Sequence, residues 1–208
     1  MYLYGAGGHA KVIWDIIESN GGRMRGLFDD NESKKILKGF PVNPGIKVLG
    51  EKFPLLDEPL IISVGSNILR AELAQMLNTE FGKAIHKSAI ISPSATIGEG
   101  TVILQGAIVQ AEAKIGKHVL VNTSASIDHD NIIGDYVHIS PKAALCGHVE
   151  VDEGTHVGAG AVIIPKIKIG KWCVIGAGTV VIRDIPDYSV AVGNPARILP
   201  CKAKSPGF

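Results

Sequence analysis

The sequence has no cluster of basic residues. Its 21 Lys and Arg are balanced by 20 Asp and Glu, for a formal net charge of +1. That argues against nucleic acid or an anionic membrane as a default partner. Cysteine is scarce: Cys146, Cys173 and Cys201 show no paired metal-ligand spacing, and they read as reduced thiols in a cytosol. No apolar run reaches the length of a membrane span. The opening MYLYGAGGHA lacks the basic n-region and long h-region of a signal peptide. These absences set the expectation of a cytoplasmic protein. Disorder is excluded from the other side, since 46% of residues are hydrophobic and 20% charged, enough for a real core. Glycine is abundant, at 25 residues, which points to many turns or repeats.

A repeat accounts for it. From Ile85 onward every sixth residue is a branched aliphatic, through Val109, Ile127, Ile133, Ile139, Val157 and Ile175 to Val181, with no insertion. A second, usually small residue stands two positions earlier, as at Ala89, Ala107, Ala125, Ala143 and Ala161. Six residues are too few for a helical repeat, but suit a short strand and a turn. Three units make one triangular coil of eighteen residues, with the aliphatics stacked inside.

The period assigns outward residues to three faces. Ile90, Ile108, Ser126, Ala144, Val162 and Val180 share the first. Thr96, Lys114, Ile132, Glu150 and Lys168 share the second, Val102, Leu120, His138, His156 and Val174 the third. The second reads as solvated. The first and third are too apolar for open water and predict subunit contacts, which fits a homotrimer.

Against this background SASIDHDNIIGDYVHIS, residues 124–140, stands out. His129 and Asp130 fall on a turn between the first and second faces, and His138 on the third. Turn positions are polar anyway, and His118 and His148 occupy turns too, so a solvated histidine is the plain alternative. The flanking carboxylate distinguishes His129, because it can fix the imidazole tautomer and raise its basicity. Asp128 reads as a strand residue, which favours Asp130. Gly147, one coil above His129, would leave room and a free N–H. The runs VGAGAV (157–162) and IGAGTV (175–180) could line a slot for an extended thioester or be plain turn chemistry.

Residues 1–83 follow another pattern. MYLYG is a strand, GAGGH a glycine turn, and AKVIWDIIESNG an amphipathic helix closed by Gly21–Gly22. MRGLFDD and PLIISVGSN are further strands, and ILRAELAQMLN a further helix, so a small parallel sheet is expected. Gly5, Gly7 and Gly8 followed by Asp29 resemble a dinucleotide turn, but the full Gly-x-Gly-x-x-Gly is absent and there is no room for a second mononucleotide half. A half-Rossmann module gripping a sugar nucleotide by its helix start is the better reading. The expected division is 1–83 α/β, 84–184 β-helix and 185–208 tail.

The six-residue period resembles the left-handed parallel β-helix of bacterial hexapeptide-repeat acyltransferases, over roughly half the chain. VNTSASIDHDNIIGDYVHIS and the ending VAVGNPARIL (190–199) resemble the sugar-nucleotide N-acetyltransferases of the bacillosamine-pathway type and their sialic-acid O-acetyltransferase relatives. That resemblance implies His129 as general base, Asp130 as the acid that orients it, and His138 as a contact to acetyl-CoA across a subunit interface. It places pantetheine contacts at Gly147, Ala159 and Ala177, and sugar-nucleotide contacts at Gly7, Gly8, His9, Asp29, Asp30, Gly65 and Asn122. The acid after the histidine is Asp here, where Glu occurs in the best-known form. The expected reaction is direct acetyl transfer to the 4-amino group of a nucleotide-linked 4-amino-4,6-dideoxy sugar, in sites between the subunits of a trimer, without a metal. Two other readings stay open: an O-acetyltransferase acting on a sugar hydroxyl, and a non-catalytic or zinc-binding trimeric β-helix.

Overall fold

The computed structural model describes residues 1–200; Cys201 and the end of the expected tail lie outside them. Strands β1 (Tyr2–Tyr4), β2 (Gly26–Asp29), β5 (Asn43–Pro44) and β6 (Leu60–Ile62) form a parallel sheet in the order β5-β2-β1-β6. Helix α1 (Gly8–Ser19) follows β1, and α3 (Asn67–Met76) follows β6. Buried Ala10, Ile13, Trp14, Ile16 and Ile17 recur at helical spacing along α1 and face the sheet. Ser66 caps α3, its hydroxyl accepting the Leu69 N–H. The excursion between β2 and β6 holds a small hairpin, β3 (Ile36–Leu37) with β4 (Phe40–Pro41), and a four-residue helix α2 (Ile46–Leu49). Such brief segments carry little periodicity for a sequence to show.

From Ala84 the chain winds into a parallel β-helix. Each strand pairs with the strand eighteen residues away, as Ser126 with Ile108 and Ala144, or His138 with Leu120 and His156. The three sheets are the three expected faces. The ladders are two residues long, the outward residue and its aliphatic, so most of each coil is turn. Every aliphatic of the register from Ile103 to Val181 is buried, and the alanines pack among them in one core, each large side chain contributing about 1.5–3 kcal/mol. Every sixth residue from Gly100 to Gly178 has a left-handed backbone, with φ between 52° and 70°. Glycine, Asp and His tolerate that region better than most residues. Beyond residue 184 the chain does not leave the helix at once. Val190–Val192 adds to the third sheet beside Val174–Ile175, and Arg197–Ile198 pairs back on it.

The third face is partly covered from within the chain. Val102, Leu104 and Leu120 are buried in one cluster with Leu3, Ala6, Ala10 and Ile13 of the N-terminal unit. The expected subunit contact on this face is therefore, at Val102 and Leu120, an intrachain one. The first face still carries exposed Ile90 and Val162.

Candidate active site

His129 and Asp130 lie on the edge between the first and second faces. His129 Nδ1 is 2.7 Å from Asp130 Oδ2. The Asp130 bond holds the imidazole above its usual range, and the same bond holds the Asp130 carboxyl low. Asp128 is spent locally, since its Oδ1 accepts the His129 N–H at 2.9 Å. A Cβ on Gly147 would stand 2.6 Å from His129 Nε2, so only glycine leaves that nitrogen clear. The Nε2 edge of the ring thus lies over Gly147 with no side chain in the way, while Nδ1 is held by Asp130.

His138 has a different setting. It is 6% exposed, inside the joint between the two units. Asn122 Nδ2 donates to its Nε2 at 3.1 Å, the His9 ring stands edge-on at 5.8 Å, and the His156 ring is 4.7 Å away. Its Nδ1 is buried and has no partner among the described residues. Burial, with the neighbouring His156 and Arg70, pushes its pKa down to about 2, so this imidazole is neutral. His9 and His156 are lowered as well, by burial and then by Arg70.

Arg70 is the fixing point of the joint. It is fully buried. Its Nε donates to the His118 carbonyl at 2.8 Å and its Nη2 to the Tyr136 carbonyl at 2.7 Å, both on left-handed turns of the β-helix. Nη1 donates to the Val64 and Gly65 carbonyls, and Nη2 also to Asn67 Oδ1. Asn67 Nδ2 reaches the Gly154 carbonyl at 3.0 Å. Burial lowers the Arg70 pKa to about 9, which leaves it charged at neutral pH.

Beside this joint opens a cleft of about 370 Å³, lined by Gly7, Gly8, His9, Asp29, Asp30, Lys34 and Gly65 among others. Asp29 accepts from the Ala6 N–H at 2.6 Å, the Asn31 N–H at 2.8 Å and Lys34 Nζ at 2.8 Å. Burial pushes its carboxyl up, but Lys34 and the two amides outweigh that and hold it low. Asp30 Oδ1 accepts from Tyr4 Oη and the Lys47 N–H. Gly5 is needed for the turn, with φ 106° and no space for a Cβ beside Val64. Gly7 and Gly8 are not crowded: nothing lies within 4 Å of a Cβ there, so the start of α1 lies open to a ligand. At Gly65 a Cβ would be 3.0 Å from the His9 ring.

The structure therefore gathers the expected residues into three places. Gly7, Gly8, His9, Asp29, Asp30 and Gly65 line one cleft, and His138 with Asn122 lies against its His9 side. His129, Asp130 and Gly147 share the edge opposite the third face. Ala159 and Ala177 are exposed on another edge, between the third and first faces. Sequence reasoning passed over two residues. Arg70 receives no role from the sequence, because a single Arg within a helix carries no motif. His148 reads as one polar turn residue among many, yet its Nε2 is 3.6 Å from Asp130 Oδ2. Its signal is the eighteen-residue step from Asp130. Donor atoms of His129, Asp130 and His148 lie within 4.8 Å of one another, a separation that a cation could bridge, which the sequence spacing did not show.

Residues 1–77 match the family described as PglD N-terminal domain, and residues 148–183 match the bacterial transferase hexapeptide (six repeats). The chain is similar to PerB from Caulobacter crescentus, solved in complex with CoA and GDP-perosamine, with 35% identity, a TM-score of 0.87 and 96% of both chains covered. It is similar to the acetyltransferase domain of PglB from Neisseria gonorrhoeae, with 35% identity and a TM-score of 0.87, over 95% of this chain and 98% of that one. It is 46% identical over 107 residues to the UDP-N-acetylbacillosamine N-acetyltransferase of Bacillus subtilis, covering 49% of this chain and 50% of that protein. The chain spans half or less of the length of the curated relatives it matches. With the fold and the solved relatives in agreement over nearly the whole chain, it belongs to the left-handed β-helix, hexapeptide-repeat sugar-nucleotide N-acetyltransferases.

Proposed function

We propose that this protein transfers acetyl from acetyl-CoA to the 4-amino group of a GDP- or UDP-linked 4-amino-4,6-dideoxy sugar. The observation that carries the reading is the His129–Asp130 pair at 2.7 Å with His129 Nε2 kept clear by Gly147. A neutral sugar amine attacks the thioester carbonyl. His129 Nε2 takes the proton that the nitrogen sheds, and Asp130 steadies the imidazolium at Nδ1. CoA leaves as the thiolate and takes the proton back from the His129 imidazolium, which restores the neutral base. Among the described residues the Gly147 N–H has no backbone acceptor, which leaves it available as the donor to the developing oxyanion. No acyl-enzyme is required. The cleft beside α1 holds the nucleotide, with the diphosphate at the helix start by Gly7 and Gly8 and Asp29 and Asp30 as hydrogen-bond acceptors. His138 and Asn122 contact acetyl-CoA and substrate at the joint.

Geometry supports a site shared between chains of a homotrimer. The cleft is tied to the third face, and the base lies on the edge opposite it. In a triangular coil with strands and turns of this length these lie on the order of 10 Å or more apart, whereas a base must be within about 3 Å of its proton. One chain's edge completes another chain's cleft, with the exposed apolar first face as the contact. Ala159 and Ala177, on the far edge of that face, line the pantetheine. Solved relatives carry CoA or acetyl-CoA, and one carries a GDP-linked amino sugar.

The test is thiol release from acetyl-CoA with GDP-, UDP- and dTDP-linked 4-amino-4,6-dideoxy sugars, with 4-hydroxy analogues as controls. Release with one amino sugar is expected, reduced about 10²–10⁴-fold in His129→Ala. Release only with hydroxyl acceptors would overturn the reading.

A further inference from the structure

The eighteen-residue step places His148 directly above Asp130. Both are left-handed turn residues, with φ of 59° and 58°, so their side chains leave the same column of the edge. That column reads Glu112, Asp130, His148, Lys166. Among the described residues neither Glu112 nor Lys166 bonds to Asp130; His148 alone in the column approaches it.

The approach is within ion-pair reach, though longer than a direct hydrogen bond. Asp130 Oδ2 lies between two imidazole nitrogens, 2.7 Å from His129 Nδ1 and 3.6 Å from His148 Nε2. The two rings stand edge-on at 90°, with centroids 5.3 Å apart. The His148 N–H donates to the His129 carbonyl at 3.1 Å. His148 therefore borders His129 at its backbone, at its ring and at the carboxylate that orients it.

That matters because the pair is exposed. The side chains of His129 and Asp130 are 52% and 42% accessible, and a bond between two exposed side chains has little resistance to rotation into water. A general base must be held in one tautomer and one orientation to take a proton efficiently. Within the single chain, among the described residues, no other side chain bonds to Asp130.

We propose that His148 is a positioning residue for the His129–Asp130 pair, an imidazole that braces the Asp130 carboxylate from the next coil. The inference rests on the reading of His129 as the base. It adds a third member to the site, drawn from an adjacent coil and invisible as a local motif.

The test compares the full chain with His148→Gly, which keeps the left-handed turn without strain, and with His148→Gln, which restores an amide donor of similar reach. His148→Leu keeps bulk without a donor and serves should the glycine variant melt early. Two readouts are taken: steady-state thiol release, and the His129 tautomer from long-range ¹H–¹⁵N correlations above pH 8. His148→Gly or His148→Leu is expected to lower kcat about 5- to 20-fold, a part of the roughly 10²–10⁴ that a general base contributes. KM for both substrates should stay within about twofold, and the Nδ1–H tautomer of His129 should lose its dominance. His148→Gln is expected to recover both. An unchanged kcat and tautomer without the imidazole, or a loss that His148→Gln leaves in full, would overturn the proposal. Should no amino sugar support turnover in the unmodified protein, the acetyl-transfer reading fails, while the tautomer comparison still decides the role of His148.

Discussion

A histidine that is to accept a proton must first be without one, so in the proposed mechanism the bond that orients His129 also sets the pH at which it works. Asp130 stabilises the imidazolium and raises the His129 pKa. The acid limb of kcat/KM, which reports the free enzyme, should therefore lie above the ordinary imidazole value of about 6.5. Asp130→Asn removes the negative charge, lowers the His129 pKa and should move that limb to lower pH, while the plateau falls because orientation is lost. A pH profile of both proteins checks this, and a limb that stays in place in Asp130→Asn would contradict the pairing. The pair was legible in the sequence because the strict period puts residues 129 and 130 on a turn. The preference for Asp130 rests on placing Asp128 in a strand; the strand ends at Ile127, and Asp128 is instead occupied by the His129 N–H. His148 was not read, because a lone turn histidine is usually solvated and its partner is eighteen residues away.

Among the elements, the β-helix was the most legible, since one residue class recurs every six positions, a period that suits a strand and a turn and is too short for a helical repeat. The strand–helix alternation of the first 83 residues was nearly as clear. The short hairpin and α2 between β2 and β6 were not, having too few residues for a pattern. The third face shows a different limit. An apolar outward strip says that something covers it, without saying what. Val102 and Leu120 are covered by the chain's own N-terminal unit, and His138 sits in that joint rather than on a free surface. The joint depends on Arg70, whose guanidinium satisfies turn carbonyls at His118 and Tyr136. Removing it leaves buried carbonyls without donors, each costing about 1–3 kcal/mol. Arg70→Leu should therefore lower unfolding stability by about 2–4 kcal/mol. Urea titration measures this, and a loss under about 0.5 kcal/mol, the range of an ordinary surface substitution, would show that the joint is held elsewhere.

The whole molecule should carry an acid sensitivity from its buried imidazoles. Burial and Arg70 push His118 down to about 4, and burial with His156 pushes His138 to about 2. Both are neutral in the fold and titrate near 6.5 when unfolded. Below about pH 6.5 the unfolded chain binds protons that the folded chain refuses, so stability falls as pH drops, down to the folded values. Each group contributes up to about 1.4 kcal/mol per pH unit, or about 2–4 kcal/mol for the two between pH 6.5 and 5. His118→Phe, packed between Phe81 and Tyr136, should flatten that dependence in urea titrations, and an equal slope in the variant would contradict it. Assembly is the other property of this scale, because the proposed base and the cleft lie on opposite sides of one coil. The most direct measurement is complementation: His129→Ala and His138→Ala chains, each inactive alone, are co-refolded and assayed for thiol release. Mixed assemblies pair an intact edge with an intact joint, so the account predicts that activity returns, at most to about a quarter of the unmodified level by random mixing around a threefold ring. No return at any ratio, with mixed assemblies demonstrated by mass, would place both histidines in a single-chain site and contradict it.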